Sequence, residues 1–140
     1  MKLYPPDDDD RHRLAEQLAF AAALAKRVGH RLDGSLADLV RLQSVLDAGL
    51  IGPADTYALQ SLGVVFGSVL IPAFPGLDWA ILDDEYGRDP TLRYRQEMLC
   101  VNVLTMIAKR VEDGEDVDVR SLFDAVLEDL PRSVAETVGH

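Results

Sequence analysis

Basic residues are scarce in this chain: 14 Lys and Arg stand against 24 Asp and Glu, a formal net charge of −10 over 140 residues. A surface of that sign repels phosphate backbones and anionic headgroups, so neither nucleic acid nor a membrane is the expected partner. A basic protein patch or a cationic group is attracted instead. Cysteine is nearly absent too. A lone Cys100 excludes an internal disulfide and agrees with a reducing compartment. Aromatic residues make up only 6% of the chain, which leaves Leu, Val and Ala to build the core. Long apolar runs are missing as well. The most apolar window, Val64 to Phe74, is interrupted by Pro72 and followed by Pro75, and it is far shorter than the roughly 20 residues of a spanning helix. The amino terminus, Met1-Lys2-Leu3-Tyr4-Pro5-Pro6 followed by four aspartates, has no apolar core or small-residue cleavage site of a secretory leader.

What is present is an ordinary globular mixture, 48% apolar and 27% charged, in a chain that fits one domain and buries about two-thirds of its unfolded surface. The expected organisation is a single domain over 1–140, with an acidic tail at 1–10, a helical unit at 11–70 and a strand–helix unit at 78–130. Asp10 is placed as the cap of a first helix whose stripe is Leu14, Leu18, Ala21, Ala22 and Ala25, ending at Gly29. Ser35 is placed as the cap of a second, with Leu36, Leu39, Val40, Gln43 and Leu46 inward and Gly49 as the stop. Pro53 opens a third, with Leu59, Leu62, Phe66 and Val69 buried, and the prolines at 72 and 75 end it. Gly63 and Gly67 form a Gly-x-x-x-Gly pair there, read as a site of close packing.

The periodicity then shortens. Trp79 and Ile81, Leu92 and Tyr94, and Met98 to Val101 read as short strands, with Gly87 and Pro90 assigned to the connection. A fourth helix carries Leu104, Ile107, Ala108 and Val111 and ends at Gly114. Asp118 caps a fifth with Leu122, Phe123, Val126 and Leu130 inward, stopped by Pro131. The expected fold class is α+β, mainly helical: three N-terminal helices, a short antiparallel hairpin or small sheet, and two C-terminal helices.

No catalytic constellation stands out. His12, His30 and His140 are scattered, and none is spaced to serve Cys100 as a base. Cys100 lies in the apolar run Met98-Leu99-Cys100-Val101 and reads as a small core residue. The turn Asp83-Asp84-Glu85 is rich in carboxylate oxygens, which hard cations require, but it lacks the spaced ligands of a calcium loop. No metal ligands and no cofactor are assigned. Lys109 and Arg110 fall in the last turn of the fourth helix, where cations meet the negative end of the helix dipole.

The order Trp79, Glu85-Tyr86-Gly87, then Lys109-Arg110-Val111-Glu112-Asp113-Gly114-Glu115 and Asp118 to Phe123 resembles a bacterial domain family of unknown function, built on a tryptophan strand followed by a Lys-Arg helix. The resemblance covers roughly the second half of the chain. It implies a bacterial protein and brings no activity and no catalytic residues; the cytoplasmic expectation rests on the missing leader, the missing spanning segment and the single cysteine. The expected function is a non-enzymatic protein-binding module, concretely an immunity or inhibitor protein that neutralises a basic toxin. The expected contact residues are Asp83, Asp84, Glu85 and Tyr86, with Glu112, Glu115 and Asp116 as a further acidic surface. The alternatives are a small metal- or ligand-binding enzyme using the acidic turn, and an accessory subunit of a larger assembly. Partner identity and oligomeric state stay open.

Overall fold

In the computed structural model, which describes residues 2–139, helices dominate and a small antiparallel sheet lies against them, an α+β fold. His140 lies outside the described residues. The elements run β1 (Lys2–Tyr4), α1 (Asp8–Arg27), α2 (Ala37–Asp47), α3 (Thr56–Ala73), β2 (Leu77–Asp84), β3 (Gly87–Tyr94), β4 (Cys100–Val101), a 3-10 turn (Val103–Thr105), α4 (Met106–Glu112) and α5 (Val119–Val138). The sheet order is β1-β2-β3-β4.

The amino terminus is not a tail. Lys2, Leu3 and Tyr4 pair with Asp83, Leu82 and Ile81, so the first residues form an edge strand. The cap of α1 is Asp7 rather than Asp10. The Asp7 carboxylate accepts from the Asp10 amide at 2.8 Å, and the Asp10 carboxylate accepts from the Asp7 amide at 2.9 Å. This reciprocal box satisfies two amides left without partners in the first turn. It also frees the second Asp10 role described below.

The inward phase of α2 differs from the simple apolar stripe. Leu39, Leu42 and Val45 are buried together with Asp38, whereas Leu36 is 51% and Val40 67% exposed. The cause is polar. Asp38 turns inward to accept the amides of Asp33 (3.1 Å) and Gly34 (2.8 Å) and the guanidinium of Arg41 (2.8 Å), and this rotates the helix. Ser35 accordingly belongs to the preceding loop, and Leu36 occupies the cap position without a side-chain bond. Gln43 ties α2 to the start of α5, donating to the Val117 carbonyl (3.0 Å) and accepting from the Val119 amide (2.8 Å).

Helix α3 is the centre of the core. Leu59, Leu62, Phe66, Val69 and Leu70 are at most 1% exposed. Its 18 residues, mean hydropathy 1.4, make it long and apolar enough to cross a membrane, and 56% of that stretch is buried inside this fold. The two glycines explain how neighbours come so close. A Cβ on Gly63 would lie 2.5 Å from the Val103 carbonyl oxygen and 2.7 Å from that of Leu104, and one on Gly67 would lie 2.7 Å from the Trp79 ring. The pair therefore receives a 3-10 turn and an indole.

Of the three prolines expected to stop helices, Pro75 lies just beyond α3, whereas Pro72 is in the last turn of α3 and Pro131 is within α5. A helical proline removes one intrahelical bond and crowds the preceding turn. In α5 that cost is offset on both sides, because Phe123 and Leu130 are buried before it and Val134 packs on the core after it. Pro90 is likewise within β3, opposite Ile81, rather than in the connection. Strand β4 pairs only with Leu92 and Arg93, so β3 has an open edge at Pro90, where a residue without an N–H is tolerated.

Candidate functional site

The acidic segment forms the end of a tight hairpin. Asp83 and Asp84 are the last residues of β2, Glu85 and Tyr86 make the two-residue turn, and Gly87 opens β3 at φ 119°. Positive φ is costly for residues with a Cβ, which suits glycine to this point. The Asp84 carboxylate accepts from the Tyr86 amide at 2.9 Å, closing the turn from within. Tyr86 is 86% exposed and Glu85 is exposed beside it.

These four residues are thus together, but they are not equivalent. Asp83 sits in register between Lys2 on β1 and Arg88 on β3, flanked by cations across the sheet. Asp84 is half-buried and engaged by the turn. Glu85 and Tyr86 are the freely presented pair. Glu112, Glu115 and Asp116 are exposed at the end of α4 and in the connection to α5, a region tied to α2 through Gln43. Among the described residues no hydrogen bond or ion pair joins them to the hairpin, so they form a separate acidic surface.

Of the residues that brace the hairpin, Arg88 was not singled out in the sequence and Asp10 only as a helix cap. Arg88 donates to the Asp10 carboxylate at 2.7 Å, stands 3.5 Å from that of Asp7, and lies 5.7 Å from the centre of the Tyr4 ring. Asp10 is only 5% exposed. Burial pushes its carboxyl up, but the Asp7 amide and the Arg88 guanidinium outweigh that and hold it below the usual carboxylate value. Arg88 is correspondingly raised, first by its bond to Asp10. The capping spacing Asp7-x-x-Asp10 was the available sequence signal for an inward Asp10. Its partner 78 residues away had none.

Beside this ion pair a cleft of about 450 Å³ opens between α1, α3 and the hairpin, over an apolar floor of Leu14, Ile81 and Leu104. Gln17 and Tyr57 stand on its walls. Trp79 is half-buried and packed against the core, as its alternation with Ile81 suggests. Cys100 is half-buried with its thiol pushed up, chiefly by burial, which disfavours the reactive thiolate. Lys109 and Arg110 do close α4, where Arg110 donates to the Met106 carbonyl at 2.9 Å. Among the described residues no three His, Cys, Asp or Glu side chains gather as a metal-holding group.

This helix-dominated α+β arrangement has a known counterpart. Residues 38–123, more than half of the chain, match the family described as Domain of unknown function (DUF3806), and the chain belongs to that family. The match starts in α2 and ends in α5, so it takes in the whole hairpin. A crystal structure of a protein from Bacteroides thetaiotaomicron VPI-5482 is similar over 90% of this chain, with a TM-score of 0.82 and 19% sequence identity. That likeness is one of fold. The match covers 47% of that protein, so this chain spans about half its length. No curated protein matches the chain.

Proposed function

We propose that this chain is a non-enzymatic protein-binding domain that presents the β2–β3 turn to a basic partner, and concretely an inhibitor or immunity protein that neutralises a bacterial toxin in the cytoplasm. The observation that carries the reading is the presentation of Glu85 and Tyr86. An 86% exposed tyrosine stands next to a free carboxylate, at the end of a hairpin held still by the Asp84 turn bond and the Arg88–Asp10 ion pair. Aromatic residues are the commonest anchors of protein interfaces, since their large rigid area is ordered at small entropic cost. A net charge of −10 attracts a basic protein before contact.

The test is parallel affinity capture with the wild-type chain and with a variant combining Asp83→Asn, Asp84→Asn, Glu85→Gln and Tyr86→Ala. The reading expects a basic protein retained by the first and lost from the second. A toxin gene adjoining the one for this chain would supply the partner directly. Equal retention by both chains removes the hairpin end from the interface and moves attention to Glu112, Glu115 and Asp116.

A further inference from the structure

Basic side chains are scarce in this chain, yet three of them share one hollow. Strand β1 stops at Tyr4, before Pro5 and Pro6, which have no N–H to give to a ladder. On that side β2 is left without a neighbour from Leu77 to Ala80. A hollow of about 230 Å³ lies along this open edge, with Arg11, Arg93 and Arg95 around it, Asp78 as its one carboxylate, and Tyr4 and Trp79 on its walls. Three guanidiniums less one carboxylate leave a local charge of +2, in a molecule whose formal net charge is −10.

That charge is not spent on the fold. Asp78 and Arg93 stand directly opposite in register, where opposite charges normally pair. Here both are drawn elsewhere. The Asp78 carboxylate accepts from the Trp79 amide at 2.8 Å, while Arg93 donates from Nε to the Glu97 carbonyl at 2.7 Å and from Nη2 to the Gln96 carbonyl at 2.6 Å. Two carbonyls fix this guanidinium without neutralising it. Arg11, Arg93 and Arg95 have no ion-pair partner among the described residues, although 24 acids are present for 14 bases. Arg95 is also the one non-glycine among the described residues with positive φ, 49°. A residue with a Cβ is disfavoured there, and such strain gathers at functional sites. Its guanidinium lies 5.1 Å from the centre of the Tyr94 ring, beside the hollow.

We propose that this hollow binds a phosphate monoester. The ester carries a charge of about −2 at neutral pH, the complement of the site, and its three acceptor oxygens suit planar guanidinium forks. A carboxylate or a sulfate ester brings only one negative charge. The surrounding acids repel anions at long range, but beyond a Debye length of about 8 Å they are largely screened, whereas guanidiniums in contact are not. The hollow is of headgroup size, smaller than the sites that enclose a whole cofactor. The proposal is independent of the hairpin-end reading, since none of its residues belongs to the turn.

The experiment is an NMR titration at constant ionic strength that follows the Nε–H groups of Arg11, Arg93 and Arg95 and the indole N–H of Trp79. Phenyl phosphate and phenyl sulfate share one body and differ in charge. The expected result is saturable shifts with the phosphate and binding at least about tenfold weaker with the sulfate, the value of one charge-assisted hydrogen bond. Arg95→Gly should weaken phenyl phosphate by a similar factor, with a melting temperature equal to or above that of the wild type, because glycine accepts this φ. Arg11→Gln should weaken it too, without touching the backbone. A capped Gly-Gly-phosphoserine-Gly-Gly peptide that binds as well as phenyl phosphate makes the ligand a phosphorylated protein segment. A peptide that fails where phenyl phosphate binds makes it a free phosphate ester. Three results overturn the proposal: no saturable shift with phenyl phosphate, phenyl sulfate bound as tightly, or phosphate affinity unchanged in either variant. Should Arg95→Gly melt below the wild type, Arg95 has a structural role and Arg11→Gln alone decides, an unchanged affinity there overturning the proposal.

Discussion

The two ends of the β2–β3 hairpin are held by different forces. At its base Leu77, Ile81, Leu92 and Tyr94 are at most 9% exposed, and Trp79 packs its ring against the Gly67 notch of α3. At its far end Asp83, Glu85, Tyr86 and Arg88 face water, and what order they have comes from register, one turn bond and the Arg88 link to Asp10. Burial is strong and indifferent to pH or salt, whereas exposed charge is weak in stability but acts at a distance. The contrast is that of a scaffold and the surface it presents. It yields an ordered set of expectations.

The largest effect should come from Trp79→Ala, which empties the notch over Gly67 and removes the contact between sheet and helix. A loss of about 3 kcal/mol is expected, the low end for a tryptophan because this one is half-buried. Urea unfolding measures it, and a loss under about 1 kcal/mol would mean that the base does not depend on the indole. Gly63→Ala follows closely. Its methyl group would meet two backbone carbonyl oxygens at 2.5 and 2.7 Å, atoms that cannot rotate away. Roughly 2–3 kcal/mol of destabilisation is expected, opposite in sign to the usual gain from replacing a helical glycine with alanine.

Arg88→Met should act next, and with a pH signature. The Asp10 carboxyl has a folded value below its unfolded one near 3.8. Its contribution is therefore present above that pH and lost as pH falls through the folded value. The melting temperature of Arg88→Met should lie below that of the wild type at neutral pH, and the gap should close in acid. A gap that is constant with pH would assign the role of Arg88 to its packing over Tyr4 instead. The smallest effect on stability belongs to Asp83→Asn, Asp84→Asn and Glu85→Gln combined. Thermal unfolding should be nearly unchanged, while association with a basic partner slows and loses much of its salt dependence. A marked drop in melting temperature would show that the far end is structural after all, through Asp83 between Lys2 and Arg88.

Much of this comparison was legible in the chain and part of it was not. The apolar face of α3 was readable because Leu59, Leu62, Phe66 and Val69 repeat at helical spacing and all are buried. That a turn separates two strands was readable because an acidic stretch ending in glycine lies between two alternating segments, but its two-residue length was not, since Gly87 and Pro90 read as connection and both belong to β3. The face of α2 was misjudged because Asp38, a charged residue, is buried by loop amides that no periodicity reveals. Pro90 and Pro131 were taken as boundaries because local cost favours ends, but the missing N–H of Pro90 falls on an open strand edge and packing on either side of Pro131 overrides its cost. The proposed contact residues were separated rather than united, Glu112, Glu115 and Asp116 lying apart from the turn. Arg88 drew no notice, since a lone arginine after a turn is ordinary in sequence.

Composition and local pattern alone determined the acidic surface, the helical core, the tryptophan strand and the exposed turn, because each follows from interactions within a few residues or from a sum over the chain. Only the tertiary structure decided that residues 2–4 form an edge strand, that Asp10 meets Arg88 across 78 positions, and that a cleft opens beside this pair. Those features depend on which distant groups are brought within bonding distance. That is settled by the packing of helices against the sheet and leaves no periodic trace along the chain.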